Sequence, residues 1–454
     1  MRVARVVILG GGIAGLTAAE NLVAAGHDVV LVDADARAGG VIRSERIDGF
    51  LCETGPQAIL SGRPDTQALL AAAGVEGRVI QGRDATRRRL VYVRGALRAL
   101  PSNPPSLLKT DLLGAVAKLR LAREPFVSKS DPDADESVLA FLERRFGAEA
   151  ARRVGAPAVI GIYAGDAANL SVRTALPRLW ELEQKHGSVL RGAIAERNQS
   201  GGAPRAFSFP DGLEELPRAL AARLGDRRIV ARAAAIEPSG AGLCVQLEAG
   251  APVDADHVVV ATPAPVTAKL VAPLAPAAAA ALASVAFAPI AVTALGFRAP
   301  SSTSGALDLG MDVAAYGFVV ARGEGVELLG CQYESSIFDH RAPAGAALLR
   351  TLQGGTFHPD VVDRTDDEIA RAAVADLRRV AGLVAEPDFV AVWRHPAGIP
   401  QYDLAHAGRL RAIEDDLRRV PRLHVIGQAT SGVGLNDGIA GAAALARTLS
   451  EQKS

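Results

Sequence analysis

The sequence predicts an α/β protein with three parts: a doubly wound parallel-sheet domain, a second domain on a mixed sheet, and a helical insertion. Three observations predict this. Near the start, RVVILGGGIAGLTAAENL reads as strand, glycine-rich loop and helix. Near the end, LHVIGQATSGVGLNDGIAGAAALARTL repeats that order. Between them, residues 101–200 carry a helical period, whereas 285–355 hold short strands such as IAVTALGF and ELLGCQYE. The length, 454 residues, suffices for two or three domains.

Taken in order, residues 6–9 form a strand, 13–25 a helix ended by Gly26, and 29–32 a strand closed by Asp33. Residues 66–85 are mixed. Residues 90–93 and 96–100 read as a hairpin turning at Arg94-Gly95. Three amphipathic helices follow: PSLLKTDLLGAVAKLRLA, ESVLAFLERRFGAEAARRV and RLWELEQKHGSVLRGAIAE. The polar loop SKSDPDADE separates the first two. The turn-rich SGGAPRAFSFPDG precedes the helix LEELPRALAARL. Strands then recur at 228–231, LCVQLEA and HVVVATP, and later at AYGFVVA. DDEIARAAVADLRRVAG is an edge helix. The final helix is expected to begin near Val433-Gly434-Leu435, capped by Asn436 or Asp437.

Bulk composition excludes several classes. Lys+Arg and Asp+Glu stand at 50 each, so there is no electrostatic footprint for nucleic acid. Cys52, Cys244 and Cys331 are odd in number and form no CxxC pair. They support neither a disulfide framework nor a metal site, and they fit a reducing cytoplasm. The longest apolar tract, from His257 to Phe297, is cut by five prolines. No transmembrane helix and no signal peptide are expected.

Gly10, Gly12 and Gly15 form GxGxxG between a strand and a helix. The glycines permit a tight turn, close approach to a pyrophosphate and close helix–sheet packing. Asp33, ending the second strand, is placed to accept bonds from a ribose hydroxyl. The competing reading is a tight turn without ligand. A second glycine pair, Gly39-Gly40, precedes Arg43, which suits the far side of a pyrophosphate. Glu53-Thr54-Gly55-Pro56 follows.

With those residues in view, the stretch 6–55 resembles the opening of the FAD-dependent amine oxidase and porphyrinogen oxidase superfamily. The fold expected is a Rossmann-like FAD-binding domain (1–65, 208–265 and 415–454), a mixed-sheet substrate-binding domain (66–100 and 266–414) and a helical domain (101–207). Distant segments narrow the likeness. GIYAGDAANLSVRTALPRLWELEQKHGSVLRG, HPAGIPQYDLAH and the tail GQATSGVGLNDGIAGAA are similar to the oxygen-dependent protoporphyrinogen oxidase family. The resemblance implies that a porphyrinogen is oxidised to a porphyrin in three two-electron steps, with O2 as final acceptor. It implies non-covalent FAD, since residues 427–445 hold no Cys.

By resemblance, FAD is held by Gly10, Gly11, Gly12, Ile13, Ala14, Gly15, Asp33, Ala34, Gly40, Arg43, Gly55, Pro56, Gln57, Ala58, Ala233, Gly427, Val433, Gly434 and Leu435. Substrate is met by Gly161, Ala164, Gly165, Tyr316, Gly317 and Val319. No catalytic side chain beyond the flavin and no metal is expected. The family often carries an Arg after LRALP for a substrate propionate. Here Pro101-Ser102-Asn103-Pro104-Pro105 stands there, leaving Arg98 as first choice before Lys109 and Arg173. Gln428 and Gly438 stand where relatives commonly have Asn and Cys.

Four alternatives stay open: coproporphyrinogen III as substrate, a flavin amine oxidase, a carotenoid-type desaturase, and a non-catalytic FAD-binding protein. The leucine-rich stretch 106–122 fits core packing and contact with the inner face of the cell membrane equally. Contact with haem-pathway enzymes and the oligomeric state are likewise open.

Overall fold

Val6, Val7, Ile8 and Leu9 are all buried, because their strand runs inside a sheet covered on both faces. In the computed structural model of the protein, which describes residues 3–101, 106, 109–197, 204–240, 242–299 and 307–451, that strand is Arg5–Leu9. It pairs in parallel with Asp28–Asp33 on one side and His257–Val260 on the other. Arg228–Val230 and Leu423–Val425 complete five parallel strands. The helices Ile13–Ala24 and Leu435–Glu451 pack against one core, with Ala14, Ala18, Ala442 and Ala446 buried there. A Cβ on Gly438 would stand 3.7 Å from Ile13. Small residues let the two helices approach closely.

The second sheet has seven strands in the order Phe389–Pro400, Phe287–Phe297, Ala347–Gly354, Leu328–Gln332, Gly317–Val320, Arg89–Val93 and Ala96–Ala99. Its pairings are antiparallel except where Gly317–Val320 lies parallel to Arg89–Val93. The hairpin turns at Arg94 and Gly95, both at positive φ (57° and 69°), the backbone a tight two-residue hairpin requires. One face of the sheet is closed by the helix Asp366–Ala381, whose Thr365 and Glu368 form a capping box.

The helical segment departs from the expected pattern. Each long periodic stretch breaks at a glycine. The first yields the helix Ala115–Ala122, opened at Gly114, whose N–H donates to Glu149 (2.9 Å). Leu112 and Leu113, read as helix, instead tuck against Val91 and Val93. The rest of that stretch, 105, 107 and 108, lies outside the described residues. The second stretch divides at Gly147 (φ 90°) and the third at Gly187 (φ 69°). Both glycines sit in backbone that residues with a Cβ seldom adopt.

A buried ion cluster closes this segment. Arg145, Glu124 and Glu183 have no exposed surface. Arg145 Nε donates to Glu124 (2.7 Å), and Glu124 also accepts from the Val189 N–H (3.0 Å) just past the break at Gly187. Charges this deep hold only when fully paired. Periodicity carries no trace of such a cluster. Among the described residues, no helix is long and apolar enough to cross a membrane.

Three histidines are kept neutral by burial. Desolvation holds His424, beside His257, at about 4, and does the same for His340 and His406. Their ordinary value is 6.5. Their folded affinity for protons is lowered, so the unfolded chain takes up more protons as pH falls through this window. Stability from these groups is complete above about pH 6.5 and is lost progressively toward about pH 4. The melting temperature is therefore expected to drop between pH 6.5 and 4, and the drop should shrink in His424→Gln. An equal slope in both proteins would refute this assignment.

Candidate active site

The sheet and its first helix create a cleft of about 480 Å³. Gly10, Gly11, Gly12, Ile13 and Ala14 line its floor. Gly10 has φ 107°, and a Cβ there would stand 2.9 Å from the Ala261 carbonyl oxygen. A Cβ on Gly15 would overlap the Gly10 carbonyl, so the helix could not approach its loop. Gly11, a free position in the motif, is equally restricted: a Cβ would overlap the Asp33 carboxylate. Gly12 differs. A Cβ there meets no protein atom within 4 Å, so the space above it belongs to the cleft. Gly12 also caps the helix without a side-chain bond, and the first turn holds no acid. Its first-turn N–H groups and positive helix end suit a phosphate.

Asp33 and Ala34 line one end of the cleft, joined by Ala231, Arg232 and Ala233. The Gly39-Gly40 loop folds over the first glycine loop. The Gly39 N–H donates to the Gly11 carbonyl (2.8 Å), and Gly12 bridges to Gly39. Gly40 lines the cleft. Arg43 does not. Its Nε lies 2.6 Å from Glu45 and the side chain is half exposed, so the expected pyrophosphate cation is a surface ion pair. Arg37 is the arginine that organises this loop, donating to the carbonyls of Ala38 (3.3 Å) and Ile42 (2.8 Å). Its role is invisible in sequence because it binds backbone carbonyls, with Glu214 at 3.9 Å as its ion-pair partner. These features fit a dinucleotide: glycines where a Cβ would obstruct, a helix N-terminus for phosphate, and an acid for a ribose.

At the other end Gly427, Val433, Gly434 and Leu435 line the cleft, with Gln428. The last helix begins at Leu435, so Asn436 and Asp437 are inside its first turn and are not its cap. Asp437 reaches back to the Gly434 N–H (3.2 Å), and Asn436 bonds Thr66 and the Leu60 carbonyl. Asp437 thus takes up part of the positive helix end.

Gly55, Pro56, Gln57 and Ala58 lie outside the cleft lining. They form the junction with the second sheet. Tyr316 Oη donates to Gln57 Oε1 (2.5 Å). Beneath that turn, Arg341 donates to Glu53 (2.6 Å) and to the Gln57 carbonyl (3.3 Å), and Arg350 donates to the carbonyls of Glu53 and Gly55. Glu334 completes this buried charge cluster, with its carboxyl raised above the usual range by burial.

The segment 161–165 abuts the same junction. A Cβ on Gly161 would stand 3.2 Å from a Val319 side-chain carbon, so that side chain packs directly on the Gly161 backbone. Ala164 ends the helix Ala156–Tyr163 at φ 48°, and its carbonyl accepts from Thr356 N–H (2.9 Å). A Cβ on Gly165 would overlap the Gln401 side-chain oxygen. Gln401 donates to the carbonyls of Tyr163 (2.8 Å) and Ile399 (3.1 Å). Tyr402 donates to the Gln428 carbonyl and lies edge-on to Tyr163 at 5.7 Å. Gly317, at φ 138°, leaves no room for a Cβ against the Cys331 carbonyl.

Arg98 is not with this group. It pairs with Asp111 on the sheet's last strand. Arg173 packs on Trp180 at 5.1 Å. The arginine beside the predicted substrate residues is Arg89. It is Gly317's strand neighbour, and its guanidinium lies 5.1 Å from the Tyr316 ring. It is exposed and, among the described residues, has no carboxylate within ion-pair distance. Sequence reading passed over it within the run RRRL, where three arginines look alike.

Known proteins resemble this chain over its whole length. The family model described as flavin containing amine oxidoreductase matches residues 13–449. Coproporphyrinogen III oxidase of Bacillus subtilis (strain 168) is 29% identical, with 95% of each chain covered. The chloroplastic protoporphyrinogen oxidase of Oryza sativa subsp. japonica is 32% identical, covering 98% of this chain and 88% of its own. A crystal structure from Exiguobacterium sp. 255-15, provisionally assigned as a protoporphyrinogen oxidase, superposes with TM-score 0.82 at 26% identity over 100% of both chains.

Because only the cleft lies above Gly12, Gly12→Val should leave a folded protein that purifies without flavin absorbance. A yellow variant with undiminished flavin content would show that the cofactor is placed wrongly.

Proposed function

The chain belongs to the flavin-containing amine oxidoreductase family, and from that premise we propose that it is an FAD-dependent oxidase of protoporphyrinogen IX, with coproporphyrinogen III as the second candidate substrate. Bound flavin supplies the two-electron acceptance that a porphyrinogen needs three times to become a porphyrin, with O2 taking the electrons as peroxide.

What supports this reading is similarity over 95–98% of the chain to proteins named coproporphyrinogen III oxidase and protoporphyrinogen oxidase, at 29% and 32% identity. An amine substrate, by contrast, needs an aromatic enclosure. Aromatics make up 4% of the chain. The chain's own groups then have limited tasks. Gly10–Ala14 and Gly39-Gly40 hold the cofactor's phosphates through backbone donors, and Asp33 accepts from a ribose. Gly427, Val433, Gly434 and Leu435 face the flavin end. Ala164 and Gly165, pinned by Gln401, border the ring and exclude water. Tyr316, steadied by Gln57, offers a ring face to a pyrrole. Arg89 is assigned the propionate that Arg98 was expected to hold. No metal enters the scheme. We assign the three domains as predicted from sequence, except that 66–75 and the helices Ala264–Val271, Pro276–Ala283 and His406–Leu417 go with the cofactor domain, on whose parallel sheet they pack.

Flavin-loaded protein should convert protoporphyrinogen IX to a fluorescent porphyrin with O2 uptake, and denaturation should release the flavin. Arg89→Ala should raise KM about tenfold, the loss of one charge-assisted bond, with a smaller change in kcat. Oxidation of amines while both porphyrinogens stay untouched would overturn the reading.

A second proposal concerns location. The helix Ala115–Ala122 buries Ala117 and Leu121 but leaves Val116 82% and Leu119 59% exposed. Phe126 is 82% exposed under Arg191, and Ile194 is 67% exposed nearby. Apolar groups with Lys118 and Arg123 among them favour the surface of an anionic membrane over core packing alone. The protein should sediment with phosphatidylglycerol vesicles, and Val116→Ser/Phe126→Ser should lose most of that binding. Equal sedimentation of both would rule the surface out.

A further inference from the structure

Gln428, Gly432, Val433 and Gly434 line one end of the FAD cleft. Inside their loop, the Thr430 and Ser431 N–H groups donate to the Gly427 carbonyl (3.0 and 2.8 Å). From outside the loop, the buried Tyr402 donates its hydroxyl to the Gln428 carbonyl. The Gly432 backbone N–H lies near the same oxygen. Val433 packs against the apolar cluster that contains Tyr402. One phenol thus stands between the two ends of the stretch 428–432, on the side away from the cofactor space.

The ring of Tyr402 is itself clamped. His406 lies flat on one face, with centroids 4.1 Å apart and planes within 6°. Tyr163 meets the ring edge-on. Both arrangements suit aromatic pairs. His406 is 1% exposed, and its Nδ1 has no hydrogen-bond partner among the described residues. A buried nitrogen left unbonded costs stability, so this position draws on the flat face of the ring rather than on that atom. The helix that His406 opens, His406–Leu417, is firmly seated. Its Asp416 accepts from the Ala277 and Ala278 N–H groups (2.8 and 3.0 Å), and Ile413 is buried in the core beside the parallel sheet. The turn between the two rings is fixed by Asp403, which accepts from the Ala405 N–H (2.9 Å) and pairs with Arg409.

We propose that Tyr402, backed by the ring of His406, is a positioning residue for FAD: it holds the stretch 428–432 in the shape that receives the cofactor, so that tight retention of flavin requires both the hydroxyl and the ring behind it. Without this tie the loop would be ordered at the moment of binding, and that ordering is taken from affinity. The role depends on FAD occupying the cleft and is independent of which porphyrinogen is oxidised. Tyr163 supplies the contrast. It is buried to the same degree, 3% exposed, but its hydroxyl donates to the Ala175 carbonyl (2.8 Å), outside the tail loop.

The test measures FAD affinity by titration of the apoprotein, the rate of flavin release, and the visible circular dichroism of bound flavin. It compares wild type with Tyr402→Phe, Tyr163→Phe, His406→Ala and His406→Phe. Tyr402→Phe should bind FAD about tenfold more weakly, the loss of one hydrogen bond, with faster release and altered flavin dichroism. His406→Ala should move the same way, whereas His406→Phe, which restores a flat ring, should stay near wild type. Tyr163→Phe should lower the melting temperature and leave FAD affinity and dichroism as in wild type. Wild-type affinity and dichroism in Tyr402→Phe, or an equal loss in Tyr163→Phe, would overturn the proposal. So would equal FAD affinity in His406→Ala and His406→Phe, the comparison that decides if Tyr402→Phe does not fold. An error in the cofactor assignment looks different: the wild-type protein itself would bind no flavin.

Discussion

Gln401 is the side chain on which the geometry of the site depends. Its amide holds the carbonyl of Tyr163 at the end of one helix and that of Ile399 on its own strand. Its oxygen fills the space a Cβ on Gly165 would need. The next residue, Tyr402, extends the same bracket to the Gln428 carbonyl in the tail loop. Burial pushes the Tyr402 hydroxyl well above its ordinary value, so it stays a donor at any working pH. Three segments far apart in the chain are thus joined by one pair of adjacent polar residues. Unpaired, these groups would each cost about 1–3 kcal/mol in a dry interior. Paired, they hold the helix end, the strand and the tail loop in fixed relation.

The buried charges around Glu53 play the matching part on the other side. Arg341 and Arg350 tie the strand Phe50–Glu53 and the turn at Gly55–Gln57 to the second sheet. Arg341 lies 2.6 Å from Glu53 and 3.8 Å from Glu334. A buried pair held by hydrogen bonds on both sides has a stiff geometry. The Tyr316–Gln57 bond rests on this base.

How much of this was legible in the sequence follows from the kind of force involved. The parallel sheet, its glycine loop and Asp33 were legible because they rest on local rules: burial period, turn stereochemistry and glycine spacing. The hairpin at Arg94-Gly95 was legible for the same reason. The helical segment was less so, since glycines at 147 and 187 interrupt a period that otherwise continues. Arg43 and Arg98 have the expected charge at the expected place in the chain, yet Glu45 and Asp111 hold them. Arg37 acts through backbone carbonyls of its own loop, and Arg89 through the ring of Tyr316, far along the chain. Which partner a charged side chain takes is the part that spacing does not encode.

The order of the parallel sheet has a consequence for how the chain matures. Its central strand, Arg5–Leu9, is flanked by Asp28–Asp33 and His257–Val260, and its far edge is Leu423–Val425. The first glycine loop emerges early in synthesis, but the strands and helix that complete the cleft emerge last. Contacts separated by hundreds of residues are slow to form and leave strand edges open meanwhile. A ligand that bridges the first and last loops binds only the finished sheet, so it stabilises that state by mass action. Cofactor supply during synthesis therefore acts on the yield of folded protein as well as on its activity.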